Sequence, residues 1–372
     1  MACELSVIIP VLNEALQVPR LLTTLAAQRD CRFEAIFCDG GSVDDTLAQL
    51  EKAAPKQPFY LCILRGPAGR GRQMNAGAAQ ARGEFLLFLH ADSFFPDPYS
   101  FARALAYLRA AQRRCDARLF AARFALRFVR EQGVGGWGYY FFEEKARLNL
   151  PGCIHGDQGM LLPRLLFDRV GPFDETQPLF EDEKLAARVA ERGAWLLLPL
   201  EIHTSARRFE REGLLERQIL NALLMNFHHI GWDAFAQRAP GIYRNQAATR
   251  RLDLLPFFSC IAELLGELDI EEQNRLWLAT GRYVRSQFWQ FPFALLSLLR
   301  YGLRRPPRRK GWGVDFYGLW ESFTDRRWAN RLSASLVRCW FWATLTVLRR
   351  RGRPRWTHSG GDDRMTPNNF LD

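Results

Sequence analysis

The chain has 372 residues, 48% apolar and 24% charged, enough to bury one large core or two ordinary ones, which excludes a disordered or low-complexity protein. Its eight cysteines are scattered, with no CxxC pair and no histidines at matching spacing, so neither a zinc site nor a disulfide framework is indicated; reduced thiols in a cytoplasmic setting are expected. The net charge of +11 lies wholly in the C-terminal part, since Met1–Phe235 carries 28 basic and 28 acidic residues and Ala236–Asp372 carries 23 and 12.

The opening "MACELSVIIPVLNEA" has no basic n-region before its short apolar run, which argues against a signal peptide. No stretch reaches the roughly 18 uninterrupted apolar residues of a spanning helix. "LSVIIPVL" predicts a strand, followed by a helical pattern from Glu14 to about Gln28. "FEAIFC" predicts a second strand ending at Asp39 and the turn "GGS"; "FYLCIL" a third, before the glycine-rich "RGPAGRGRQMNAGAAQAR"; and "FLLFL" a fourth, running into His90 and Asp92. Short apolar runs separated by helices imply an α/β protein with a mostly parallel sheet covered on both faces. In such a sheet the ligand crevice lies at the carboxyl ends of the strands, where four polar loops converge: Pro10 with Asn13 and Glu14, Asp39 with Gly40 and Gly41, Arg70 to Asn75, and His90 with Asp92. Farther on, "EDEKLAARVAERG" predicts a helix with Glu181 and Asp182 at its start and Gly193 as its stop.

"SVIIPVLNE", "DGGSVDDT", "GRGRQMNAGA", "FLHADS", "GDQGMLLPRLLFDRVGPFDE", "FEDEKLAARV" and "TSARRFEREG" follow one another in the order seen in family 2 glycosyltransferases. They most resemble the small bacterial branch that carries HAD where most relatives carry DxD. The resemblance covers about Leu5 to Trp232 and implies a GT-A, Rossmann-like fold that moves a sugar from a nucleoside-diphosphate donor with inversion.

The residues admit matching roles. Mg²⁺ and Mn²⁺ prefer carboxylate oxygens and share their coordination with phosphates, so Asp92 is the candidate metal ligand, against a turn cap before "SFFPDP". His90 departs from the family carboxylate; it binds metal, bonds ribose or phosphate, or closes the strand. Asp39 resembles the carboxylate that holds the donor's base or ribose, with Pro10, Asn13 and Glu14 lining the same pocket, although Glu14 equally suits a helix start. Arg70 and Arg72 suit a diphosphate because guanidinium grips two oxygens, or are solvated surface arginines. The glycines around them do not fit GxxxxGK[ST], which disfavours a P-loop. Asp182 is the candidate general base for the acceptor hydroxyl, with Glu181 tuning it or holding sugar hydroxyls. Asp157 and Gln158 are expected on donor sugar or acceptor, and His203, Arg207 and Arg208 near the diphosphate or in helix-start ion pairs.

Residues 1–235 are thus expected to form the catalytic domain, 236–357 a basic, aromatic-rich helical extension, and 358–372 a mobile tail. "FWQFPFALLSLLRYGLRRPPRRKGW" and "ASLVRCWFWATLTVLRRRGRPRW" put apolar runs before arginine clusters, suiting either the interface of an anionic membrane, on its cytoplasmic face, or buried helices. No recognition motif for nucleic acid accompanies the positive charge. The rival readings are a nucleotidyltransferase and a non-catalytic membrane-associated protein with a decayed site. Base, sugar and acceptor, lipid-linked or not, are not legible.

Overall fold

The computed structural model describes residues 3–115, 119–131, 136–150, 152–176, 179–244, 246, 251–308 and 314–351; the tail expected at 358–372 lies outside them. Strands β1 (Leu5–Val11), β2 (Phe33–Asp39), β3 (Tyr60–Arg65) and β4 (Phe85–Phe88) pair in parallel in the order β3-β2-β1-β4. Alternation drives this: Leu5, Val7, Ile9 and Val11 enter one apolar cluster while Ile8 enters the other, so both faces of β1 are buried. Helices α1 (Val18–Ala26), α2 (Thr46–Ala53) and α3 (Arg70–Gln80) make the crossovers. Short β5 (Ser93–Phe94) and α4 (Ser100–Arg114) follow.

The sheet then becomes mixed. After β6 (Phe120–Val129) and α5 (Trp137–Lys145), β7 (Met160–Pro163) inserts antiparallel between β4 and β6. Helices α6 (Arg164–Val170) and α7 (Glu181–Arg192) lead to β8 (Ala194–Ser205), parallel to β6 and antiparallel to β5. The α/β sheet with helical extension expected from the sequence is the architecture observed. One boundary differs: α1 starts at Val18 rather than Glu14, because the Glu14 and Ala15 amides donate to Thr46 Oγ1 (2.8 Å) and Asp44 Oδ2 (3.2 Å) in the neighbouring loop.

The C-terminal helices are α8 (Arg207–Glu212), α9 (Leu214–His229), α10 (Asp233–Arg244), α11 (Leu255–Gly266), α12 (Ile270–Ser286), α13 (Gln290–Gly302), α14 (Val314–Thr324) and α15 (Arg327–Arg351). Leu220, Phe227, Phe257, Phe258, Trp277 and Phe341 make a separate core, with Phe341 stacked on Phe258 at 5.2 Å. This core is not isolated from the sheet, for Leu179 and Phe180, just before α7, pack against it. Helices α12 and α15 approach so closely at Gly281 that a Cβ there would lie 2.5 Å from the Ala334 amide nitrogen and 2.6 Å from the Asn330 carbonyl oxygen. Backbone cannot yield as a side chain does, so Gly281→Ala is expected to destabilise the protein by about 1–3 kcal/mol in denaturant unfolding.

Candidate functional site

The site is built where β1, β2 and β4 end. Gln73, buried on α3, donates its Nε2 to the Val11 carbonyl at 2.9 Å and to the Cys38 carbonyl at 2.6 Å, tying the ends of β1 and β2 together. Asp39 turns back on its own loop, accepting from the Gly41 amide at 3.0 Å and the Ser42 amide at 3.1 Å; Gly41, at φ +91°, permits the turn. Asn13, itself at φ +56°, accepts from the Val43 amide at 2.9 Å and donates its own amide to Ser42 Oγ at 2.9 Å. Pro10 sits in register with Cys38, one residue before Asp39. The three donor-pocket candidates Pro10, Asn13 and Asp39 therefore belong to one cross-linked pair of loops.

Glu14 approaches Arg207 at 3.9 Å, and burial, then Asp92, raises its carboxyl above the ordinary range. The Asp92 carbonyl accepts from the Ser205 amide at 3.2 Å, which sets Asp92 beside the end of β8, immediately before Arg207 and Arg208. Burial raises the Asp92 carboxyl, with Arg208 the strongest opposing influence. Among the described residues Arg208 makes no ion pair and is exposed.

The decisive contact joins β4 to α7. The Gly156 amide donates to Asp182 Oδ2 at 2.7 Å, and a Cβ on Gly156 would lie 2.8 Å from His90 Nε2 and 3.3 Å from Asp182 Oδ2. Residues from three distant stretches, His90, Gly156 and Asp182, thus meet at van der Waals distance. Arg70 opens α3 and pairs with Glu181 Oε1 at 3.1 Å, and Gly71 packs beside Glu181. The glycines of this segment serve packing: a Cβ on Gly77 would strike Ile8 at 2.5 Å. Arg72 turns outward to Glu175 at 3.4 Å.

Burial sorts the charges. It would raise Asp182, but His155, Arg70 and the Gly156 amide outweigh it and hold the carboxylate below its usual range. Burial, then Arg70, drives His90 down to about 3, so its imidazole is neutral. Asp157 is pushed up to about 7 by burial, then by Asp182 and Asp92, and its buried Oδ1 has no hydrogen-bond partner. Gln158 donates to the Cys153 carbonyl at 2.8 Å and leaves its own Oε1 unpartnered. Asp182 is thus held ionised while burial pushes Asp157 and Asp92 the other way. A cavity at the opposite sheet edge is lined by Glu84, Arg109 and Arg164, with Arg109 paired to Glu4 and Glu84 and Arg164 bonded to the Ala81 carbonyl.

Residues 6–169 match the description Glycosyl transferase family 2. Similar proteins include a PGL/p-HBAD biosynthesis glycosyltransferase of Mycobacterium bovis, 38% identical over 104 residues, covering 28% of this chain and 41% of the relative. An undecaprenyl-phosphate 4-deoxy-4-formamido-L-arabinose transferase of Pseudomonas syringae is 38% identical over 92 residues, 23% of this chain and 27% of the relative. The matches thus span less than half the length of these relatives. A solved Pyrobaculum calidifontis mannosyltransferase, in complex with GDP-Man and Mn²⁺, aligns over 91% of this chain and 88% of its own at 18% identity and TM-score 0.47. Staphylococcus aureus TarS with UDP aligns over 76% and 82% at 20% identity and TM-score 0.44. The family 2 match contains Pro10, Asn13, Glu14, Asp39, Arg70, Arg72, His90, Asp92, Asp157 and Gln158 and ends before Glu181, Asp182, Arg207 and Arg208.

The candidate site also includes residues not singled out from the sequence. Gly156 and His155 contact or perturb Asp182, and Glu183, next in the chain, is buried with neither oxygen hydrogen-bonded. The signal for Gly156 was its place at the head of the "GDQG" segment and for His155 only its position just before it; Glu183 had none beyond its neighbours. Burial, then Asp182, pushes Glu183 up to about 8 from 4.5. Between those values the unfolded chain releases a proton that the folded protein retains, so stability falls as pH rises. Glu183→Gln removes this penalty, and its melting temperature is expected to exceed that of the parent by about 3 °C or more near pH 8.5 while converging with it near pH 5.

Proposed function

We propose that the chain transfers a sugar from a nucleoside-diphosphate sugar to an acceptor with inversion at the anomeric carbon. The observation that carries this reading is the meeting of β4 and α7 through Gly156, which brings a donor-side strand end to an ionised Asp182. In this reading the cross-linked loops of Pro10, Asn13, Glu14 and Asp39 hold the nucleoside. Arg207 and the unpaired Arg208 face the diphosphate, where guanidinium offsets the charge that builds on the leaving group. Asp182 takes the acceptor's proton as its oxygen attacks, and the Gly156 amide and Arg70 keep that carboxylate ionised and oriented. Glu181 holds Arg70 in place.

The donor set suits a hard divalent ion, Mn²⁺ or Mg²⁺, bound chiefly through phosphate. Asp92 offers one carboxylate, Asp157 leaves an oxygen unpartnered nearby, and among the described residues no cluster of three or more His, Cys, Asp or Glu side chains forms a protein cage. Asp92 would hold the ion, which supplies charge neutralisation to the departing diphosphate.

Asp182→Asn is expected to lower kcat by about 10²–10⁴ while nucleotide-sugar binding, followed by thermal shift, persists. Retained transfer in that variant would remove the base assignment. Release of nucleoside diphosphate rather than pyrophosphate separates this reaction from nucleotidyl transfer. Asp92→Asn is expected to abolish the thermal shift that Mn²⁺ adds to nucleoside-diphosphate binding without lowering the melting temperature of the protein alone.

A second feature supports docking on an anionic membrane surface. Helix α15 exposes Trp328, Leu332, Leu336 and Trp340 at helical spacing, opposite its buried Asn330, Ala334, Phe341 and Leu345, and ends on Arg349–Arg351. Helix α13 exposes Phe291, Leu295, Leu298 and Leu299 and leads to exposed Arg304 and Arg305. No described helix is long and apolar enough to cross a membrane, so contact would be interfacial. Sedimentation with phosphatidylglycerol vesicles is expected to deplete the protein from the supernatant at low salt and to fail for Leu336→Glu with Trp340→Glu; equal recovery of both forms would count against docking.

A further inference from the structure

One residue beyond Asp182 lies a group that donor chemistry does not use. The Glu183 side chain is 9% exposed, and neither of its oxygens has a hydrogen-bond partner. Two imidazoles flank it at 3.7 Å: His155 Nδ1 faces Oε1, and His229 Nε2 faces Oε2. His155 Nε2 lies 3.2 Å from the Gly152 carbonyl; donating there, the neutral ring presents a bare Nδ1 to Glu183. With Glu183 protonated, its O–H and the bare Nδ1 stand 3.7 Å apart, too far to bond each other, and a ligand hydroxyl that accepts from one and donates to the other satisfies both.

The three side chains come from three places: the loop that also carries Gly156, the first turn of α7, and the end of α9. His155 and His229 are 35% and 38% exposed, so the crevice opens to solvent. Tyr283 of α12 stacks on His229 with ring centroids 4.9 Å apart and extends an aromatic wall. Gly152, at φ +68°, brings backbone over the carboxylate; a Cβ there would lie 3.9 Å from Glu183 Oε1.

We propose that this crevice, between the sheet and the helical extension, receives the acceptor, and that the acceptor's reacting end is a neutral, hydroxyl-bearing group such as a sugar, not a phosphate. The inference rests on the glycosyltransferase reading above and names the acceptor class for it. A hydroxyl donates to the bare His155 Nδ1 and accepts from the protonated Glu183 carboxyl, while the apolar face of a sugar ring lies on an aromatic wall. A phosphate nucleophile would bring negative charge beside the ionised Asp182, with Arg70 already paired to Glu181. It would also need no base, whereas an alcohol does, and Asp182 adjoins the crevice. Atoms balance in the usual way: the acceptor oxygen bonds to the anomeric carbon, the bond to the diphosphate breaks, and Asp182 takes the proton.

The test uses the full chain with the nucleotide sugar that gives the largest thermal shift, a panel of octyl β-glycosides and farnesyl phosphate as acceptors, and mass detection of products. Transfer to glycosides and not to farnesyl phosphate is expected. Glu183→Ala should raise the acceptor KM tenfold or more with a much smaller change in kcat and donor KM, and Glu183→Gln should recover part of that loss. His229→Ala, at the half-exposed edge, should raise the acceptor KM several-fold and stands in if Glu183→Ala does not fold. Transfer to farnesyl phosphate but to no glycoside, or an acceptor KM unmoved by both alanine variants, overturns the inference while leaving the glycosyltransferase reading intact. Absence of donor turnover in every arm overturns that reading and this inference with it.

Discussion

A buried carboxylate can stay ionised only if its surroundings replace the water it has lost. At Asp182 that replacement is one backbone amide, from Gly156, together with the positive charge of Arg70. Each comes from a different segment, so a single electrostatic requirement draws the start of α3, the loop before β7 and the first turn of α7 to one place. Gly156 is held to glycine by the same contact, since any side chain would run into His90. The neighbours bear the opposite consequence: Asp157 and Glu183, without such replacement, are pushed toward protonation by burial and by Asp182 itself.

The mixed part of the sheet is what makes this meeting geometrically available. Because β7 runs antiparallel beside β4, the chain entering β7 passes the carboxyl end of β4, where His90 stands. Had β7 continued the parallel order, that loop would have arrived at the opposite edge of the sheet. Helix α9 and the core formed by Phe257, Phe258 and Phe341 then brace the region before α7 through Leu179 and Phe180, so the extension is structurally continuous with the site.

Much of the first half was legible along the chain. The near-continuous apolar run in "LSVIIPVL" and the short apolar runs that follow give a sheet buried on both faces, and the polar residues ending each run mark its working edge. In "GRGRQMNAGA" the spacing already disfavoured a P-loop, and Gly77 is small because α3 presses on Ile8. The motif order located Asp182, but the chemistry of its neighbour Glu183 was invisible, because two of the groups around it, His229 and Tyr283, come from helices with no motif at all.

What the sequence by itself determined, then, was periodicity and local punctuation: which runs are strands, where they stop, and which polar side chains sit at those stops. Tertiary structure alone decided which carboxylates are charged. Ionisation in a protein interior depends on dielectric surroundings and on partners within a few ångströms, and in this chain those partners lie from 26 residues away, at Gly156, to about a hundred, at Arg70.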